Sequence, residues 1–282
     1  CVKCNQTVKF KDLLTTAKEL GADCLATGHY VQRQLLDGHA CLRRGIDQQK
    51  DQSYFLFATT PEQLDYLRFP LGAMTKDATR ELALKYELSV SDKPDSQDIC
   101  FVPNGRYGDV VRRLRPGAIT PGVIRHLDGR ILGKHLGVID YTIGQRRGLG
   151  IGGRKDEGED NTPLYVVAID ADAHEVIVGP QHALACRDVY LDEVNWLVPS
   201  LMDKRDENVN GIEVFVKLRN TALASPAKLF LNSDSSAHLV LEKAEYGIAT
   251  GQAGVIYDGS DASLMLGGGW ISSAPISAAL AV

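Results

Sequence analysis

The sequence predicts an α/β domain, a small β-rich connector domain and a C-terminal antiparallel β-barrel, in that order along 282 residues. Three observations support this fold class. In the first third, apolar residues recur at helical spacing and a strand-like run ends in glycine, which is typical of parallel α/β domains. After about Pro116, turn signals come at short intervals between β-branched runs. From Thr162 onward, alternating apolar segments indicate an antiparallel sheet or small barrel. We therefore expect domains over residues 1–115, 116–178 and 179–275.

The α/β part has three predicted elements. Residues 8–20 carry apolar side chains at helical spacing, and residues 24–27 form a short strand-like run. Thr75 is a suitable N-cap for a helix over residues 76–88, because its hydroxyl can accept a hydrogen bond from a free backbone N–H group. Pro94 then ends the helical pattern and opens a polar loop.

The β-rich parts are predicted from short runs bounded by turn residues. The expected strands are 164–169, 176–178, 212–218, 227–231, 239–242 and 254–257. Two glycine-containing stretches, residues 250–252 and 267–270, are interpreted as turns because glycine punctuates regular structure.

Composition narrows the class of protein. Hydrophobic content of 44% and charged content of 24% are ordinary for a globular protein, and no run of eighteen apolar residues exists to span a membrane. The chain opens on Cys1 without a secretion signal, so we expect a processed protein or a fragment. Six irregularly spaced cysteines do not suggest a disulfide framework. These features predict a cytoplasmic protein.

Charge is unevenly distributed along the chain. Residues 106–155 carry eleven Lys and Arg against three Asp, a local charge of +8, although the whole chain carries −5. Such a basic segment predicts contact with a phosphate backbone, and a solvated charged surface is the equally weighted alternative.

Two cysteine motifs stand out because their thiols lie among polar or turn-forming residues. They are Cys1-Val2-Lys3-Cys4 at the start and Asp98-Ile99-Cys100-Phe101 much further on. Two such thiols can carry a persulfide, exchange a disulfide or share a metal. Three thiolates from Cys1, Cys4 and Cys100 would suit an iron–sulfur cluster better than a closed zinc site. The other three cysteines, Cys24, Cys41 and Cys186, are interpreted as small buried hydrophobic residues.

Three further segments are candidate binding sites. Thr27-Gly28-His29-Tyr30 ends a predicted strand, where open α/β sheets bind ligands. The stretch from Lys50 to Phe55 suits phosphate and base contact, or equally a charged loop before a buried strand. The stretch from Tyr141 to Gly150 is glycine-rich and basic, which favours phosphate contact through Arg146 and Arg147.

Six motifs, in order, resemble the tRNA-specific 2-thiouridylase family (MnmA type). They are Cys-Asn-x-x-Val-Lys-Phe, Ala-Thr-Gly-His-Tyr, Lys-Asp-Gln-Ser-Tyr-Phe-Leu, Asp-Ile-Cys-Phe, Thr-Ile-Gly-Gln-Arg-Arg-Gly-Leu-Gly and Leu-Gly-Gly-Gly-Trp-Ile, running from Cys4 to Ile271. The resemblance implies an ATP-pyrophosphatase-type α/β domain. It also implies an enzyme that activates the tRNA wobble uridine with ATP, with Mg²⁺, and then replaces the C2 oxygen with sulfur from a cysteine persulfide.

The resemblance also implies roles for individual residues. The nucleophile falls on Cys4, the persulfide cysteine on Cys100 and the nucleotide contact on Gly28. The tRNA contacts fall on the following residues: His29, Lys50, Asp51, Gln52, Arg219, Asn220 and Gln252. The implied partners are tRNA and a persulfide donor, either a cysteine desulfurase or a sulfur-relay protein.

The chain departs from the family pattern in four places. Asn220 stands where Tyr is usual, Thr250 stands where Pro is usual, and Cys1 occupies a position that is Asp in some members. The family's Ser-Gly-Gly-Val-Asp-Ser phosphate loop does not occur in these residues. We therefore expect this chain to lack half of the adenylation site and to be inactive alone.

Two alternative functions remain at this point. One is a non-catalytic RNA-binding protein whose cysteines hold a structural metal. The other is a related ATP-dependent RNA thiolase that modifies a different base.

Overall fold

A computed structural model describes residues 1–89, 110, 113, 119–151, 162–198, 200–203, 209–232 and 235–274. Backbone contacts divide the chain into two compact units. The first comprises Cys1–Asp95, Asp188–Lys243 and Thr250–Ser273; the second comprises Ser96–Arg187, Ala244–Ala249 and Ala274–Val282. No helix within the described ranges is long and apolar enough to cross a bilayer.

The first unit begins with a continuous helical stretch made of three segments. These are α1 (Val2–Cys4), a π-helical segment (Asn5–Asp12) and α2 (Leu13–Glu19). Gly21 follows with φ +72°, a conformation that ends helices at little steric cost. The predicted helix is confirmed, and it starts six residues earlier than expected. π-Helical turns are rare and often accompany functional sites.

Four short strands and two helices follow in the α/β part. Strand β1 (Leu25–Ala26) pairs in parallel with β4 (Leu67–Arg68), and β2 (Val31–Leu36) forms a hairpin with β3 (His39–Arg44). Helix α3 spans Pro61–Tyr66. Helix α4 spans Lys76–Lys85, and its N-cap hydroxyl on Thr75 accepts a hydrogen bond from the backbone N–H of Ala78, as predicted.

The same unit contains a closed six-stranded barrel. Its strands are β9 (Ala185–Trp196), β10 (Ile212–Lys217), β11 (Ser225–Leu231), β12 (Ala237–Tyr246), β13 (Ala253–Asp258) and β14 (Met265–Ser273). The hydrogen-bonded order is β10-β11-β12-β9-β14-β13, and β13 closes on β10. A short helix, α5 (Ser200–Asp203), lies between β9 and β10.

One prediction in the barrel is wrong. Gly267, Gly268 and Gly269 were expected in a turn, but they lie within β14. A Cβ on Gly268 would lie 2.7 Å from the carbonyl oxygen of Gly254 and 3.1 Å from the Cβ of Phe57. Glycine is therefore required here for close packing of a strand and not for a turn.

The α/β part and the barrel share one hydrophobic core. Phe10, Leu56 and Phe57 from the α/β part pack in the same cluster as Val255 and Tyr257 of β13. All five are almost completely buried. This shared core fixes the barrel against the α/β elements within the first unit.

The second unit contains a four-stranded sheet. Its strands are β5 (Gly122–His126), β6 (Ile131–His135), β7 (Leu164–Asp170) and β8 (Glu175–Pro180), in the order β6-β5-β8-β7. Strands β5 and β8 are parallel, whereas the other two pairings are antiparallel. Ile124, Val166, Val176 and Val178 form its fully buried core.

Candidate functional site

The helical stretch at the start of the chain holds Cys4. The Cys4 thiol is free and half-buried, while Cys1 is exposed. Its two neighbours anchor this turn: the Lys3 ammonium lies 5.3 Å from the centre of the Trp270 ring, and the Asn5 side-chain amide donates to the carbonyl oxygen of Phe55 at 3.3 Å. Cys4 is thus presented between β14 of the barrel and the segment that contains Phe55.

Gly28 follows β1, at the carboxyl end of that parallel strand. It is exposed, and a Cβ at this position would come no closer than 3.7 Å to another side chain, that of Leu71. The backbone here is therefore open to a ligand, as expected for a nucleotide at the carboxyl edge of an α/β sheet.

His29 is held beside Gly28 by apolar and polar contacts. Its ring packs edge-on against Phe10 and Phe69, with centroids 5.8 Å and 6.4 Å away, and its Nδ1 lies 2.9 Å from the hydroxyl of Thr27. Burial, together with the smaller effect of the positive charge of Lys9, lowers the pKa of His29 to about 4. The imidazole is therefore neutral near pH 7 and can hydrogen-bond a base edge without carrying charge.

Asp51 is placed differently from the prediction of direct tRNA contact. Its carboxylate has no exposed surface and pairs with the Arg44 guanidinium at 3.1 Å. It also accepts from the backbone N–H groups of Gly45 and Ser53, each at 3.1 Å, and from the Ser53 hydroxyl at 2.9 Å. A carboxylate with four donors inside the protein supports the loop.

Gln52 also makes internal hydrogen bonds. Its side-chain oxygen accepts from the backbone N–H of Tyr30 at 2.9 Å, and its backbone N–H donates to the Tyr30 carbonyl at 3.0 Å. Lys50 is half-buried at the start of this segment. The segment continues into a 3₁₀ helix, Ser53–Leu56, and not into a strand. Gln52 therefore ties the Lys50 segment to the residue that follows His29.

The barrel residues expected to contact tRNA lie at strand ends. Arg219 is half-buried and Asn220 exposed, just after β10, and Gln252 is half-buried just before β13. The backbone on either side of Gln252 is fastened to β14, because Gly251 donates to the Ile271 carbonyl at 2.8 Å and Ile271 donates to the Gln252 carbonyl at 2.7 Å. The predicted turn at residues 250–252 is confirmed.

Sequence reasoning missed two tyrosines that link these parts. The Tyr54 hydroxyl donates to the carbonyl oxygen of Ala253 at 3.0 Å, and the Tyr257 hydroxyl lies 2.8 Å from that of Ser53. Tyr54 lies inside the Lys50–Phe55 stretch and Tyr257 inside a predicted strand, and neither was predicted to link the α/β part to the barrel. Neither pattern shows which phenol finds a partner on the opposite domain.

The second unit displays Arg146 and Arg147 on an ordered loop. Both side chains are exposed. Gln145 holds the loop through three hydrogen bonds. Its side chain accepts from the Thr142 N–H and donates to the Arg147 carbonyl, each at 3.0 Å. Its backbone carbonyl accepts from the Val166 N–H at 2.9 Å. Two adjacent guanidinium groups on a fixed loop are suited to phosphate contact.

The remaining cysteine predictions have mixed outcomes. Cys41 and Cys186 are buried as expected, but Cys24 is exposed, because β1 is short and starts only at the next residue. Cys100 lies outside the described residues. Within those residues, no group of three His, Cys, Asp or Glu side chains could hold a metal ion.

Comparisons with protein-family models account for nearly all of the chain. Residues 1–104 match the tRNA methyl transferase HUP domain, residues 109–180 the tRNA methyl transferase PRC-barrel domain and residues 186–271 the aminomethyltransferase beta-barrel domain. These three matches confirm the predicted fold class of α/β domain, β-rich connector and β-barrel.

Similar curated proteins carry one name, tRNA-specific 2-thiouridylase MnmA. The protein from Rhodospirillum centenum is 56% identical over 282 residues, which cover 100% of this chain and 69% of that protein. The protein from Ruegeria sp. is 56% identical over 272 residues, 96% of this chain and 68% of the relative. The protein from Maricaulis maris is 55% identical over 273 residues, which cover 97% of this chain and 64% of that protein. The chain spans about two thirds of the length of these relatives and belongs to the tRNA-specific 2-thiouridylase family.

Proposed function

We propose that the protein catalyses ATP-dependent 2-thiolation of the wobble uridine in tRNA. The observation that carries this proposal is the arrangement of the first unit. There Cys4 lies on a helical stretch whose Lys3 contacts Trp270 of the barrel, and Gln52 is bonded to Tyr30, close to the predicted nucleotide contact at Gly28. One compact unit thus presents a thiol and an open backbone for the nucleotide, and we assign the RNA contacts of this unit to the barrel and the Lys50–Gln52 segment.

The chemistry requires activation before sulfur transfer. The C2 carbonyl of uridine is a poor electrophile, so transfer of AMP from ATP to its oxygen, with release of pyrophosphate, makes that oxygen a leaving group. Gly28 leaves room for the nucleotide, and the neutral imidazole of His29 offers a hydrogen bond without attracting phosphate. Mg²⁺ would neutralise phosphate charge in this reaction. We assign no ligands to it, since the described residues contain no group of three His, Cys, Asp or Glu side chains that could hold a metal ion.

Sulfur transfer uses the two predicted cysteines. A donor protein loads a sulfur atom onto Cys100 as a persulfide. In one route the terminal sulfur of the persulfide attacks C2, and AMP leaves with the oxygen. The Cys4 thiolate then attacks the Cys100 sulfur, which forms a Cys4–Cys100 disulfide and frees the thiocarbonyl. In the other, Cys4 first displaces hydrosulfide from Cys100, and the hydrosulfide attacks C2. Both routes end in the same disulfide, which an external thiol must reduce, so a reducing cytoplasm suits the enzyme.

A cluster held by Cys1, Cys4 and Cys100 is the competing sulfur chemistry. Cys1 is exposed one turn before Cys4, and Cys100 lies outside the described residues, so no step is derived through a cluster. Protein that is brown after anaerobic purification, with iron-dependent activity, would replace the persulfide route with a cluster.

The test is thiolation of tRNA in vitro by the full-length enzyme with single cysteine changes. We expect Cys4→Ser and Cys100→Ser to abolish 2-thiouridine formation while tRNA binding is retained. Cys24→Ser is the matched control, because this thiol is also free and lies in the same unit as Cys4, and the activity of this variant should be unchanged. Normal thiolation by Cys100→Ser enzyme would refute the persulfide assignment.

A further inference from the structure

The segment from Lys50 to Tyr54 is bonded in two directions. Toward the α/β part, Gln52 makes two hydrogen bonds with the backbone of Tyr30, which follows His29. Toward the barrel, Ser53 and Tyr54 each contact a residue of β13. The segment therefore joins the predicted nucleotide end of β1 to the barrel strand that begins just after Gln252.

Tyr54 makes the contact nearest to the predicted RNA-binding residues. Its side chain is buried, and its hydroxyl donates to the carbonyl of Ala253, the first residue of β13. Burial raises the pKa of the Tyr54 phenol, so this donor keeps its proton at any physiological pH. The positive charge of Arg219 acts on the same phenol in the opposite direction. Tyr54 thus bonds to the strand that begins just after Gln252, and its phenol is near enough to Arg219 for that charge to act on it.

Tyr257 secures the C-terminal end of β13 to the same segment. It is fully buried, and its hydroxyl bonds to Ser53, which also donates to the buried Asp51 carboxylate. The Arg44 guanidinium, the ionic partner of Asp51, lies 5.6 Å from the centre of the Tyr257 ring. Lys217 on the neighbouring strand β10 is also buried, and burial lowers its pKa while the Asp51 charge opposes that effect. These polar groups add a buried network to the shared hydrophobic core, and a satisfied buried network makes the packing of its members more specific.

We propose that Tyr54 and Tyr257 are positioning residues that fix the two ends of β13, the strand that begins just after Gln252, relative to the Gly28–His29 end of β1. This inference rests on the proposed function, because it concerns how tRNA bound to the barrel is aligned with the nucleotide. Both phenols are buried and bonded inside the protein. Each acts through the backbone it fixes.

The experiment measures steady-state tRNA thiolation by the full-length enzyme with tRNA and ATP varied separately. Tyr54→Phe removes only the hydroxyl that bonds to Ala253. We expect the KM for tRNA to rise about fivefold, the factor that corresponds to the net loss of one neutral hydrogen bond, with kcat and the KM for ATP unchanged. Tyr66→Phe is the matched control, since its hydroxyl donates to the Ala22 carbonyl within the α/β part. It should leave all three constants unchanged.

A purely structural role predicts other results. If Tyr54→Phe lowers only the thermal unfolding midpoint, or raises both KM values together, the positioning assignment is wrong. Tyr257→Phe provides a second measurement should the first variant fail to fold, with the same selective rise in the KM for tRNA expected. Absence of thiolation by the unmodified enzyme would instead refute the proposed function, so the two failures are distinguishable.

Discussion

Replacing His29 with Gln should remove a specific part of the pH dependence of stability. The pKa of His29 falls from an ordinary value of 6.5 to about 4 in the folded protein, first because of burial and then because of Lys9. Between these two pH values the unfolded chain binds a proton that the folded chain does not, so acidification favours unfolding. The stabilising contribution is fully present above pH 6.5 and is lost as pH falls to about 4. A tenfold change in proton affinity corresponds to about 1.36 kcal/mol, so this contribution to the free energy of unfolding is about 3 kcal/mol over the whole pH range.

The assay is denaturant unfolding of wild type and His29→Gln at about pH 7 and about pH 5. The difference in the free energy of unfolding between the two proteins should change by about 2 kcal/mol between these pH values. The other histidines do not contribute to this change, because both proteins carry them. An NMR titration of the His29 ring gives the pKa directly, and Lys9→Met should raise it, since the Lys9 charge opposes protonation. A ring that titrates near its ordinary pKa, or an unchanged difference in stability, would refute the electrostatic reasoning.

Three further predictions concern the loops and the glycine contact. Asp51→Asn should destabilise the first unit by about 3 kcal/mol, measured by denaturant unfolding, because it removes the buried carboxylate charge to which the partly buried Arg44 guanidinium and three further donors are bonded. Gly28→Ala should fold normally, because its Cβ meets no close neighbour, yet raise the KM for ATP in the full-length enzyme. Gly72→Ala is the contrasting variant: its Cβ would overlap a backbone carbonyl of β2, so circular dichroism should show no folded protein. Replacing both Arg146 and Arg147 with Ala should weaken tRNA binding and lower the salt slope by about 2 in filter binding without changing stability, since both side chains are exposed.

Periodicity predicted most of the fold because the elements bury one face. Strands β7, β8 and β10 to β13 were predicted from alternation, and the capping hydroxyl of Thr75 located the start of α4. The β2–β3 hairpin was missed although Asp37-Gly38, a strong hairpin signal, forms its turn with φ of +49° and +83°. The residues on either side of this turn do not alternate strictly between apolar and polar, so periodicity did not predict the two strands.

Other features could not be read from local sequence, because their cause is tertiary. Three consecutive glycines, 267–269, read as a turn, and only the nearness of Phe57 and of the neighbouring barrel strands explains their place in β14. Asp51 belongs to a polar motif typical of an exposed loop, yet it is buried because Arg44 and two backbone N–H groups converge on it. The motifs therefore locate the candidate site segments in the sequence. The structure shows which residues of those segments are buried and support the loop, such as Asp51, and which are exposed.

The most direct test of the central claim is mass analysis of tRNA nucleosides from cells that lack the gene. We predict that the sulfur at C2 of the wobble uridine disappears, returns when the wild-type gene is restored, and does not return with a Cys4→Ser or Cys100→Ser copy. Unchanged wobble 2-thiouridine in the deleted strain would contradict the account, and loss of sulfur from a different base would assign the enzyme to another thiolation.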